Sequence, residues 1–495
     1  MSYHKLKALF REQSILNDVS GFLSWDMATY MPDKSRKQRV QQIKIIYDYK
    51  KRIFDEIKKK GFFKKVTQTK LSDLDQQNYN LMKLKFEYFD CMPYKLIEKK
   101  TILGIECEGL WRKARIKNNF NIVKKKIVEL VEVVRQEAEI LSQEKQISRY
   151  DSLLEKYDRS LKTDYLNQIF PDIEKFIKKY SPLIEEQQKH NKYIKQNEFL
   201  DESEQIKLSK IFMKKLGFNF SKGRIDKSLH PFCGGSTDDI RITTRFDKES
   251  TFSCFDALMH ETGHAIYEQG LPKKWVHQPV GTSGGMSLHE SQSLFVEMQL
   301  IKSLPASTLI EKIISEHLMK KSSFWSSRNI FNIRNKIEKG FIRVDSDEVH
   351  YPLHIIHRFN IEHQIIEKNA DISLLPDLWN QEFKKLFSLK VPNDNFGCLQ
   401  DIHWYGGDFG YFPTYSIGAF IASQLKYKIK QDIPDMIFLI KKGEFKPITS
   451  WLKEKIHQKG NIFRINEILR KSTGEKLNTI HYKNHIKERY IKEVF

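Results

Sequence analysis

The sequence predicts a mainly α-helical protein: a large helical body with a small β element, arranged as two lobes around a groove. Three observations lead there. Apolar residues recur three and four apart over most of residues 1–220, as in the stripe Ile127, Leu130, Val131, Val134, Ala138 and Leu141. Glycine and proline are sparse over the same stretch, so no linker divides it. At 495 residues, 40 % hydrophobic and 12 % aromatic, the chain can bury an extensive core and is too apolar to stay disordered.

Taken in order, residues 1–220 read as a helical scaffold lobe. Near residue 222 the texture changes. The run HPFCGGSTDDIRITTRF brings a glycine pair, then Ile240 and Ile242 alternating with Arg241 and Thr243, which predicts a short strand. A helix through His260 follows, with Ser253 and Asp256 as a capping box at its start. Then come a Gly-rich loop at 281–286, a helix through Glu290 and a helical stretch from Ser346 to Lys368. Residues 221–425 thus form the catalytic region, and 426–495 a lysine-rich helical segment, all within one integrated domain.

The formal net charge is +21, which raises the question of nucleic acid. The lysines are instead spread along amphipathic stretches such as Lys58–Lys60 and Lys124–Lys126, with no basic tail, so solvated helix faces explain them. A basic nucleic-acid-binding protein with a degenerate metal site is the reading from a different class. Five scattered cysteines without a C-x-x-C pair argue against a disulfide framework or a thiolate zinc site and fit a reducing compartment. No apolar signal region or bilayer-length run is present, which predicts a cytoplasmic protein without membrane contact.

The chemistry centres on FDALMHETGHAIYEQG. His260 and His264 are one helical turn apart, so both imidazoles leave the same face and can reach one zinc ion, while Glu261 can act on water as a general base. A catalytic zinc site takes three protein ligands and keeps one position open. Glu290, 26 residues past His264, is the predicted third ligand. His289 is the other possible donor, and Ser287 with Glu290 could equally form a capping box. Cobalt could replace zinc at an N/N/O site. An aminopeptidase or endopeptidase would share these metal residues, but the acidic GxMEN-type motif of aminopeptidases is absent.

At this point the sequence resembles the thermostable, Taq-type metallocarboxypeptidase family, which pairs HEXXH with a downstream HES-type glutamate motif. The chain carries HPF (His230, Pro231, Phe232), DxRxT (Asp239, Arg241, Thr243), HETGH, HESQ (289–292) and GxxQDxHW (Gly397, Gln400, Asp401, His403, Trp404), in family order. Trp25–Asp26, Met31–Pro32, YDSLLEKYD and GYFPTYSIGA extend the likeness over nearly the whole chain. The family's IRxxAD stands here as IRVDSD, with Ser346 in place of alanine, which predicts only a local packing change. The resemblance implies an architecture like the neurolysin-type HEXXH peptidases, zinc on the floor of a deep groove, homodimers, and release of single residues from peptides with a free C-terminus and broad preference.

Roles follow. The resemblance assigns Arg343 to the substrate carboxylate, whose two oxygens suit a planar guanidinium fork. Arg241, oriented by Asp239, and Arg245 are weaker candidates, since pairing with the acidic neighbours Asp238 and Asp239 would also account for them. His403 and Tyr411, with Tyr415, are candidate donors to the oxyanion, and Gln400 is a candidate substrate contact. His230 in HPF is expected to shape the site.

Overall fold

In the computed structural model, residues 2–66, 70–191, 193–228, 232–247, 249 and 251–492 are described. The predicted periodicity becomes a long series of helices. The first four, α1 (Ser2–Thr29), α2 (Arg36–Lys60), α3 (Phe62–Val66) and α4 (Asp73–Cys91), close over a small core of their own that includes Leu6, Phe10, Ile57 and Met82. Next come α5 (Tyr94–Ile116), α6 (Asn121–Lys145), α7 (Arg149–Tyr157), α8 (Thr163–Lys189) and α9 (Glu202–Leu216). All six residues of the predicted α6 stripe are fully buried. Each Leu, Ile or Val among them contributes about 1.5–3 kcal/mol. Local chemistry sets the helix starts. Ser72 and Ser148 accept a backbone N–H at the heads of α4 and α7, and Asp201 and Glu204 form a reciprocal box at α9.

The β element is a three-stranded sheet, β1 (Gly223–Lys227), β2 (Phe232–Ser236) and β3 (Asp239–Thr244), in the order β1-β3-β2. The central strand is the predicted one. It runs parallel to β1 and antiparallel to β2, pairing Ile242 with Ile225 and with Cys233. Ile240 and Ile242 enter the main core. On the partly exposed side, Arg241 lies 4.5 Å from the ring centre of Phe22 and 4.7 Å from that of Trp25, tying the sheet to α1.

Beyond the sheet lie α10 (Thr251–Gly270), α11 (Met286–Leu294), a π-helical run at Phe295–Ile301, α12 (Leu304–His317), α13 (Ser327–Arg334), α14 (Tyr351–Ile366) and α15 (Leu375–Phe387). The remaining helices are α16 (His403–Gly406), α17 (Pro413–Asp432), α18 (Met436–Lys442), α19 (Lys446–Lys455), α20 (Ile465–Thr473) and α21 (Ile480–Tyr490). One hydrophobic core runs from Leu103 to Tyr490. Among the described residues, no helix is long and apolar enough to cross a membrane.

Two predicted helix starts are corrected. Asp256 does not cap α10, which already begins at Thr251; its buried carboxylate instead faces Arg334, whose Nε lies 3.1 and 3.2 Å from the two oxygens. The predicted stretch from Ser346 becomes a helix only at Tyr351. Asp347 accepts the N–H groups of Val349 and His350 at 2.9 Å each, holding a turn where helix was expected. Ser346 is half-buried and its hydroxyl makes a single 3.4 Å contact, to the Asp347 carbonyl, so the side chain disturbs little.

Candidate active site and metal centre

His260 and His264 leave one face of α10 with ring centres 5.0 Å apart. Against that face lies α11, brought close by glycine: a Cβ at Gly263 would stand 2.4 Å from the Gln292 carbonyl oxygen. From the other side α17 presses in at Gly418, where a Cβ would meet Glu290 Cγ at 2.7 Å. Glu290 is thereby held between two helices with one oxygen 3.3 Å from His264 Nε2 and 3.7 Å from His260 Nε2. No side chain caps α11, whose N-cap is Gly285, so the capping-box alternative does not describe Glu290.

The donor set fits a divalent metal. The three ligand atoms lie within 4.8 Å of one another, and a tetrahedral ion with bonds of about 2.0–2.1 Å needs donors roughly 3.3 Å apart. The field agrees. Burial opposes charge on His260, yet Glu290 and Glu297 outweigh it and draw the pKa up to about 10. Burial and the neighbouring His289 push His264 down to about 4. Burial also works against the Glu290 carboxylate, but the two histidines keep it below its usual range. Beside them Glu261 is raised by burial to about 7, His260 opposing the rise, which is a range suited to taking and returning a proton.

Both imidazoles are held from behind. His260 Nδ1 lies 2.9 Å from Glu297 Oε2, and the other Glu297 oxygen lies 3.0 Å from Lys302 Nζ. Behind His264 stands a second imidazole: Nδ1 is 2.6 Å from His289 Nδ1, and His289 Nε2 is 2.8 Å from Glu268. With each Nε2 turned toward Glu290, the Nδ1–H of His260 donates to Glu297 and that of His264 donates to His289. His289, the alternative donor, therefore backs a ligand position. Glu297 comes from the π run, whose backbone is braced by side chains: Arg334 donates to the Ile301 carbonyl at 2.8 Å, Asn335 to that of Lys302 at 3.0 Å, and Arg489 of α21 to that of Met298. π-helical turns often mark functional sites.

Arg343 is buried. Its Nε donates to Asp401 at 2.9 Å, Nη1 donates to the Tyr351 hydroxyl at 2.8 Å, and its guanidinium carbon stands 4.9 Å from the ring centre of Tyr415. Nη2 has no protein partner among the described residues. The other Asp401 oxygen takes two bonds from Arg358, at 2.9 and 2.8 Å, and Gln400 accepts both the Arg343 N–H and Arg358 Nη2. Burial works against the Asp401 carboxylate, but the two arginines hold it far below its usual range. Gln400, predicted as a substrate contact, is thus engaged with these arginines and with the backbone of Phe341, Phe396 and Gly397.

His403, Tyr411 and Tyr415 are neighbours in space. His403 Nε2 is 3.2 Å from the Tyr415 hydroxyl, and its buried Nδ1 has no partner. Burial, with Arg343 adding to it, drives the imidazole down to about 4, so His403 is neutral. Tyr411 packs edge-on to Tyr157 at 5.0 Å and to Tyr415 at 5.3 Å. Arg241 and Asp239, by contrast, are engaged with each other at 2.8 Å, and Arg241 stacks on Phe22 and Trp25 of α1. His230 and Pro231 lie outside the described residues. Sequence reasoning missed Glu268, Glu297, Lys302, Tyr351 and Arg358. Glu268 carried a signal, standing one turn past His264 on the same helix.

A helical body that brings together two histidines four apart, a carboxylate as third donor and a second buried glutamate beside them defines a metallohydrolase of the HEXXH-plus-glutamate class. Comparisons with known proteins agree. The family model described as Carboxypeptidase Taq (M32) metallopeptidase matches residues 5–490. Carboxypeptidase 1 of Bacillus subtilis (strain 168) is 30 % identical, covering 97 % of this chain and 96 % of its own. The solved structure of Trypanosoma cruzi metallocarboxypeptidase 1 superposes with a TM-score of 0.93 at 31 % identity, covering 99 % of both chains. That of a Pyrococcus furiosus carboxypeptidase gives 0.92 at 27 %, with the same coverage. The chain belongs to the Carboxypeptidase Taq (M32) metallopeptidase family and is a metallocarboxypeptidase by class.

Proposed function

We propose that this chain removes C-terminal residues from peptides using one zinc ion, with His260, His264 and Glu290 as ligands and Glu261 as the general base. The convergence of those four side chains carries the reading. When bound, the ion supplies Lewis acidity that polarises a scissile carbonyl and makes water more acidic; cobalt would serve the same donor set. Glu261 takes the proton of the attacking water on a carboxylate oxygen and passes it to the leaving amine nitrogen. Arg343, its Nη2 unengaged, pairs with the substrate α-carboxylate, while the neutral His403 and the hydroxyls of Tyr411 and Tyr415 supply dipoles for the developing oxyanion. Asp401 and Gln400 hold Arg343 in place, and Asp239 and Arg241 line the approach from the sheet. We assign the protein to the cytoplasm, where its five unpaired cysteines stay reduced, and by family likeness to a homodimer.

The test is release of the C-terminal amino acid from a blocked dipeptide and from its C-terminal amide, by wild type, Glu261→Gln and Arg343→Ala. Cleavage of the free acid alone, lost in both variants while metal is retained, is the expected result. Equal cleavage of the amide, or full activity without Glu261, would refute it.

A further inference from the structure

The two imidazoles are backed by unlike partners, and one backing is ionic. Glu297 faces His260 Nδ1 at 2.9 Å with one oxygen and Lys302 at 3.0 Å with the other. Lys302 in turn lies 4.0 Å from Asp256, one helical turn before His260 on α10, and Asp256 is bound to Arg334. Glu297, Asp256 and Lys302 are nearly enclosed, and Arg334 is 8 % exposed, so this chain of charges is a packed element of the fold. Among the described residues the partner behind His264 is instead the imidazole of His289.

We propose that Glu297 and Lys302 are positioning residues that set the metal affinity of the site through the His260 imidazole. A carboxylate accepting the Nδ1–H fixes the tautomer that leaves Nε2 as a lone-pair donor, and it fixes the plane of the ring. Glu297 can do this only while its second oxygen is engaged, because a buried carboxylate with one unpaired oxygen would turn to find a partner. Lys302 supplies that engagement. Its position just past the π run, beside Ser303 at the head of α12, makes the geometry a property of the backbone. The proposal rests on His260 being a metal ligand, as argued above.

The experiment measures zinc dissociation constants by competition with a chromogenic chelator for wild type, Glu297→Gln, Lys302→Met, the double variant and His264→Ala, with the apo thermal midpoint of each. Disruption of a ligand's outer partner typically costs roughly 10- to 100-fold in metal affinity. That loss is expected for Glu297→Gln and for Lys302→Met. In the double variant Lys302→Met should add little, since Lys302 acts through Glu297. Wild-type affinity in either single variant, or losses that multiply in the double, would overturn the proposal. Retention of tight zinc by His264→Ala would instead overturn the metal site itself. Should Glu297→Gln fold poorly, Lys302→Met and its rescue by Lys302→Arg decide alone.

Discussion

Arg343 and Asp401 are joined by a 2.9 Å bond in the interior of the protein, and the same carboxylate also receives Arg358. The candidate substrate anchor is therefore one member of a buried triad of two cations and one anion, its guanidinium fixed in place by direct bonds.

Asp401→Asn should be strongly destabilising. It leaves two buried guanidinium groups without their anion, and breaking a buried pair costs about 3–5 kcal/mol. Urea unfolding reads the loss, and the surviving folded enzyme should show a raised KM for free-acid substrates, because Arg343 is no longer aimed. An unchanged midpoint would show that the triad is not what holds the arginines.

Gly418→Ala tests the clamp on Glu290. Alanine gains up to about 1 kcal/mol of helix propensity over glycine, but overpacking costs about 1–3 kcal/mol, and the new methyl would sit 2.7 Å from Glu290 Cγ. Net destabilisation together with weaker zinc binding is expected. A stabilised variant with wild-type zinc affinity would mean that α17 does not position the carboxylate.

The third prediction concerns pH. Glu362 is fully buried and accepts bonds from Tyr150 at 2.6 Å, Trp404 at 2.7 Å and Gly410 at 3.0 Å. Burial lifts its pKa to about 7, the three donors opposing the rise. A folded-state value above the unfolded one means that the folded protein holds a proton that the unfolded chain releases. This contribution is complete below about pH 4.5 and is lost as pH rises through about 7, by about 3 kcal/mol for 2.5 units. Unfolding midpoints between pH 4.5 and 7.5 should carry this slope in wild type and lack it in Glu362→Gln. A parallel pair of profiles would rule out Glu362 as its source.

Metal removal should lower thermal stability. A ligand at a thousandfold excess over its dissociation constant stabilises by about 4 kcal/mol, so a chelator should depress the melting temperature of the zinc-loaded protein. His264→Ala should melt at one temperature with or without chelator.

What was legible in the sequence is what neighbouring residues decide. His260, Glu261 and His264 declare themselves through helical spacing, and Ile240 and Ile242 through strand alternation. The outer partners do not, because each arrives from a distant segment. Asp256 looked like a cap, yet Arg334, 78 positions later, binds it. Glu297 follows Glu290 by seven residues, but only a change of helical pitch after Leu294 and a cation at 302 make it a partner for His260. Arg343 was recognisable as an arginine of the right motif. That it would share Asp401 with Arg358 was not, since nothing in a linear reading pairs 358 with 401.

The bond from Arg489 to the Met298 carbonyl spans 191 positions. A π-helical run gives up ordinary i→i+4 pairing, and this carbonyl waits for α21. The spacing on α10 sets the face its histidines leave from, but the wall that steadies them draws on residue 489, almost at the far end of the fold. The metal centre is thus a property of the whole chain: the run that carries Glu297 is held by α13 and by α21, the last helix of the fold.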